Sequence, residues 1–147
     1  MWQRILVPHD FSSSANHAAA LARDEAKAHG GEVLLLHVVD LPSGFSPDTQ
    51  VAGLDAPIKI LEYAMMAATE HLRDLATRLE ADGVAVSTFV RVGHPVEEIL
   101  RLSREHEADA IVMGTHGRSA LRQLLAGSVA ERVVRASHIP VVTTRHP

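Results

Sequence analysis

Gly114, Gly117, Gly127 and Ser128 lie in the stretch GTHGRSALRQLLAGSVAE, directly behind the apolar run AIVM. Ser128 and Glu131 have the S-x-x-E spacing of a capping box, which starts a helix at Ser128. A helix start offers free N–H groups and a partial positive charge, both suited to a phosphate. Gly127, without a side chain, would let a phosphate approach the backbone. Gly114 and Gly117 stand where a strand must end, so the chain can turn sharply or take positive φ there. Arg118 and Arg122 could add cationic donors, and His116 could donate to a phosphate or be a plain loop residue. The stretch thus has two readings, a phosphate site or a strand–turn–helix connection that needs small residues. A GxxxxGK[ST] loop is absent, and the only lysines, Lys27 and Lys59, lie elsewhere. No GxGxxG follows the first apolar run. Both features speak against a Walker-type or Rossmann-type site.

Other reactive side chains give weaker signals. The ten histidines are scattered, with no HxxxH or HExxH pair to aim two imidazoles from one helix face. No metal site is expected from them. Glu97 and Glu98 follow Pro95, which reads as a helix start favoured by first-turn acids rather than as an acid–base pair. There is no cysteine, hence no disulfide framework and no thiolate chemistry. The formal net charge of −4 argues against a general nucleic-acid or anionic-membrane surface. No apolar run reaches the roughly 18 residues that cross a bilayer, and the N-terminus has no signal-peptide pattern. A soluble cytoplasmic protein is the expectation.

The elements that must position these residues can be read in order. At 147 residues and 46% hydrophobic, the chain has the size and composition of one globular domain, residues 1–147. RILVPHD and EVLLLHVVD are short, near-continuous apolar runs, as in strands covered on both faces. Between them, SSSANHAAALARDEAKAHGG reads as a helix opened by serines and closed by Gly30–Gly31. Residues 41–57 read as a loop, and a long helix follows from about Ile58 to Ala81. Met65 and Met66 within it read as core filler. VAVSTFVRVG, ADAIVMGT and IPVVTTR complete the strands, with helices at HPVEEILRLSREHE and GSVAERVVRASH. Strand–helix alternation predicts a doubly wound parallel α/β sheet, with ligands bound beyond the carboxyl ends of its strands. The residues to watch are therefore Pro8 to Asp10, Val38 to Asp40 and Gly114 to Gly117.

The spacing G-x2-G-x9-G-S, taken with ILVPHDFS, VLLLHVVD and VGHPVEEIL in that order, resembles the universal stress protein family in its ATP-binding branch. The resemblance spans essentially the whole chain. It implies a five-stranded parallel sheet in strand order 3-2-1-4-5 with helices on both faces. It further implies ATP beyond the first and fourth strands, with Mg²⁺ or Mn²⁺ held largely through phosphate oxygens, as hard cations prefer. By position, Asp10 would contact the nucleoside, with Pro8 beside it. Val38 would give a backbone and apolar contact to adenine, and Met113 would lie near base and ribose. Gly114, Gly117, Gly127 and Ser128, with Val129 following, would form the ribose–phosphate cradle, beside which Arg118 could donate. A homodimer through the last strand, around Val141 and Val142, is implied too.

Each residue also has a plainer reading. Asp10 is a good helix cap, Val38 suits any buried strand, and Val141 and Val142 fit a sheet core as well as a pairing edge. The function expected is an ATP-dependent regulatory protein of the stress response with little or no turnover. The alternative is a slow ATPase or phosphoryl-transfer enzyme, which lacks a visible base aimed at a γ-phosphate.

Overall fold

The computed structural model describes residues 1–41, 44–51, 58–115 and 129–145. The chain runs β1 (Arg4–Pro8), α1 (Ser13–His29), β2 (Glu32–Val39), β3 (Gln50–Val51), β4 (Ile58–Lys59) and α2 (Ile60–Ala81). It continues through β5 (Ala85–Val92), α3 (Pro95–Glu105), β6 (Ala110–Gly114), α4 (Val129–Ala136) and β7 (Val141–Thr144). The main sheet has five strands in the order β5-β2-β1-β6-β7, and every pairing in it is parallel. Counted within this sheet alone, that is the order 3-2-1-4-5 expected from the family resemblance.

Side-chain alternation along the strands sorts the core into two layers. Ile5, Val7, Val33, Leu35 and Val112 face α1 and α2. Leu6, Leu34, Leu36, Ile111 and Met113 face α3 and α4. Both faces are covered, which is why these strands are apolar at every position and not at every second one. The chain winds outward from β1 on one face, then crosses to β6 on the other side of β1. Strand order therefore reverses between β1 and β6, and the carboxyl ends of these two strands open the crevice of a doubly wound sheet.

Helix α1 buries Ser14, Ala15, Ala18, Ala19, Ala22 and Ala26 against the sheet. Its alanines bring the helix axis close to the strands. Ser12 caps it by accepting a hydrogen bond from the Ala15 N–H at 3.2 Å, and Gly30 ends it in the left-handed region at φ 70°. Two boundaries differ from the sequence reading. Residues 50–51 pair antiparallel with 58–59, so part of the expected loop is a small ribbon. Ile58 and Lys59 belong to that ribbon, and α2 begins at Ile60, whose N–H bonds the Thr49 carbonyl.

Candidate functional site

The loop after β1 is built by two successive side-chain turns. The His9 N–H still donates to the Leu36 carbonyl at 2.7 Å, prolonging the ladder by one residue beyond Pro8. The Phe11 N–H donates to His9 Nδ1 at 3.0 Å, and the Ser12 N–H to Asp10 Oδ1 at 3.1 Å. Each is a side chain accepting from the backbone two residues on, the geometry by which Asp and Asn shape turns. Phe11 adopts φ 65°, an uncommon conformation for a bulky residue that the surroundings must hold. Its ring stacks on His37 at 4.5 Å and meets His71 edge-on at 5.0 Å. Asp10 is consequently not the cap of α1, because Ser12 takes that role. The Asp10 carboxylate also accepts from the Ser12 hydroxyl.

Beyond the carboxyl ends of β1, β2 and β6 lies a cavity of about 450 Å³. Pro8, Asp10, Val38, Met113, Gly114 and Val129 all line it. Six of the expected site residues, drawn from segments far apart in sequence, thus share one cavity. Its volume falls in the range of small-molecule sites, roughly 300–1,000 Å³. Leu36, Pro95, Ile99 and Ala130 add to its apolar wall, while Asp40, His37 and Thr115 add polar groups. The sequence pointed to Asp40 and Thr115 only as residues just past strand ends. Pro95 and Ile99 were missed, because nothing in an ordinary helix start says which cavity the crossover helix closes.

The N-terminal residues of α4, Val129 and Ala130, line the same cavity, so the positive end of that helix borders it. The expected site residues Gly117, Arg118, Gly127 and Ser128 lie outside the described residues, as do Arg122, His116 and the capping box at Ser128.

Gly114 corrects one sequence reading. It is the last residue of β6, in register with Thr144, and is not among the described glycines of positive φ. Small size matters there for another reason. A Cβ would come within 2.5 Å of Ser14 Oγ and 2.8 Å of the Ser14 carbonyl carbon. The first turn of α1 presses on the end of β6, and the Thr144 hydroxyl on β7 bonds the Ser14 carbonyl at 3.4 Å. Gly114 therefore lets α1 dock as well as lining the cavity.

His9 is 4% exposed, and burial lowers its pKa from the ordinary imidazole value. The hydrogen bond to Asn16 opposes that shift more weakly, as does the nearby Asp10 charge. The neutral ring accepts at Nδ1 from Phe11 and so carries its proton on Nε2, which donates to Asn16 Oδ1 at 3.0 Å. Of the paired glutamates, Glu98 is 7% exposed and bound to Arg101 at 2.8 Å, in the first turn of α3. That is a structural role. Among the described residues, no three His, Asp or Glu side chains gather to hold a metal ion, and no helix is long and apolar enough to cross a membrane.

A doubly wound sheet with a cavity at its switch point is the arrangement in which α/β domains commonly seat a ligand, and the cavity of this chain is mixed apolar and acidic. The family model of the universal stress proteins matches residues 1–145, and the chain belongs to that family. Universal stress protein MJ0577 of Methanocaldococcus jannaschii is 32% identical, covering 99% of this chain and 96% of its own. A solved structure of MJ0577 superposes with a TM-score of 0.79 at 28% identity, covering 100% and 98% of the two chains. More distant structures share the fold. A universal stress protein in complex with cAMP superposes at TM-score 0.73 and 23% identity, over 98% and 97% of the chains. One from Archaeoglobus fulgidus in complex with dAMP superposes at 0.68 and 24%, over 96% of each chain.

Proposed function

We propose that this chain is a single-domain regulatory module that binds ATP in the cavity beyond β1 and β6, with little or no turnover. The observation that carries the proposal is the cavity's composition. Pro8, Asp10, Val38, Met113, Gly114 and Val129 converge on a space of nucleotide size. Its apolar side suits a purine ring, with Val38 and Met113 against the base. Asp10 supplies an acceptor for sugar hydroxyls. The α4 end supplies N–H groups for phosphate, with Gly117, Arg118, Gly127 and Ser128 completing the cradle. The cAMP and dAMP complexes of two relatives agree with an adenine nucleotide. Mg²⁺ or Mn²⁺ would be held through phosphate oxygens and would neutralise their charge. No residue of the chain is assigned to the ion.

The proposal includes a homodimer through β7 in a cytoplasmic protein. Among the described residues β7 pairs with β6 on one side only, and Val141 and Val142 on it are half-buried, which supports a pairing edge. Native mass spectrometry of the purified protein, with extraction of any bound nucleotide, is the test. An adenine nucleotide retained or taken up in a dimer is expected. A strictly monomeric protein that takes up none would refute both parts.

A further inference from the structure

We propose that His9 is the positioning residue of the nucleotide site: its neutral ring sets the Asp10 loop, and protonation at Nδ1 releases that loop and weakens binding. The inference rests on the nucleotide reading of the cavity. His9 lies between two spaces. It lines the cavity beyond β1, and on the α2 side it lines a smaller polar hollow with Asn16, His71, Asp74 and Arg78. Its backbone and side chain together hold the loop that carries Asp10. The backbone N–H bonds Leu36, the carbonyl accepts from His37 Nδ1 at 2.7 Å, and ring Nδ1 accepts from the Phe11 N–H.

The last of these bonds is the sensitive one. Phe11 sits at φ 65°, a conformation for which the Nδ1 acceptor is a direct tether. When Nδ1 gains a proton it becomes a donor facing another donor. The bond is then lost and the two N–H groups repel. Asp10 lies between the two bonded residues, so its carboxylate moves with the turn. The bond from His37 is different. There the ring is the donor, and protonating His37 keeps that donor in place.

Asp10 on the same loop favours the protonated His9 ring, and His37 on β2 disfavours it. Across the smaller hollow stand His71, Asp74 and Arg78 of α2, and from α1 comes its bonded partner Asn16, with exposed His17 next to Asn16 in sequence. Asp40 shares the larger cavity. Burial outweighs the favourable partners and keeps the ring neutral at ordinary pH. The release therefore falls below the usual imidazole range.

The test uses adenosine, which has no titrating phosphate, with calorimetry on the intact chain across about pH 8 to pH 5. Wild-type affinity should fall about fivefold on acidification, the ~1 kcal/mol of one hydrogen bond. The His9→Asn variant keeps an acceptor at the δ position and cannot titrate, so it should bind at neutral pH and lose the acid dependence. His9→Leu should bind weakly throughout. In the nucleotide-free wild type, the Phe11 amide resonance should shift in step with the His9 imidazole signal by NMR. Pronounced acid dependence surviving in His9→Asn would overturn the proposal. So would a Phe11 amide indifferent to His9 protonation. Binding that ignores pH in the wild type overturns the positioning role alone, whereas no binding of either adenosine or ATP at neutral pH overturns the nucleotide reading with it.

Discussion

The two ends of the parallel sheet use their polar residues in opposite ways. At the amino-terminal end they satisfy one another. The Gln3 and Arg4 N–H groups both donate to Asp109 Oδ2, at 2.7 and 2.8 Å, and the Arg4 side chain reaches Glu32 at 3.1 Å and Glu107 at 3.4 Å. At the carboxyl end, Asp10 and Asp40 border an open cavity, a histidine is buried, and a phenylalanine is held at positive φ. The same strands thus carry a closed end that fixes register and an open end available for binding. Buried His9 and positive-φ Phe11 stand at the open end, where an interior polar group must be held by specific partners, while Glu107, the other described non-glycine residue of positive φ at 49°, stands exposed in the connection before β6.

The largest effect on affinity with the fold left intact should come from Asp10→Ala. Loss of a charged acceptor is expected to weaken adenine nucleotide binding about 10- to 100-fold, measured by calorimetry. Thermal stability should change far less. An affinity unchanged in this variant would remove the distinction between the ends.

Gly114→Val comes next and blurs the comparison deliberately. Its side chain runs into the Ser14 backbone, so the fold itself should lose about 2–3 kcal/mol in denaturant unfolding, together with binding. A variant that loses binding at full stability would show that Gly114 serves the cavity only. Asp109→Ala, at the closed end, should cost about 1–2 kcal/mol of stability, because its hydrogen bonds are exposed to water. Nucleotide affinity should be untouched. Arg4→Ala is smaller still, at most about 1 kcal/mol, as for other half-exposed ion pairs.

The last contrast is one of slope. The His9 pKa is lowered on folding, so the unfolded chain binds the proton more tightly. The stability held in the neutral ring is fully present above the ordinary value of about 6.5 and declines as pH falls toward the native value. Urea unfolding at stepped pH should show a steeper acid loss in wild type than in His9→Asn. Equal slopes would mean that His9 is not a source of acid sensitivity.

The sheet and its covering helices were largely legible in the sequence, whereas the closed end, where Asp109 meets Gln3 and Arg4 across more than a hundred residues, was not. Buried parallel strands write themselves as unbroken apolar runs, and Gly30 and Pro95 punctuate helices by backbone geometry that only certain residues allow. The cavity was legible in part. Asp10 follows the end of β1, Val38 and Gly114 are among the last residues of β2 and β6, and strand ends beside the switch point line the crevice. What escaped was the work done across the chain. No local pattern reveals that Gly114 must clear Ser14, since the two are brought together by the docking of α1. The role of His9 depended on Phe11 adopting positive φ, which propensity argues against. The ribbon at 50–51 and 58–59 is too short for alternation to register, and its strands were absorbed into a loop and a helix.

The central claim is that the open end binds an adenine nucleotide through Asp10. Titrating ATP with Mg²⁺ into the wild type and into Asp10→Ala by calorimetry tests it most directly. A saturable isotherm in the wild type that collapses in the variant is the predicted result. No binding in the wild type, or equal binding in both, would contradict it.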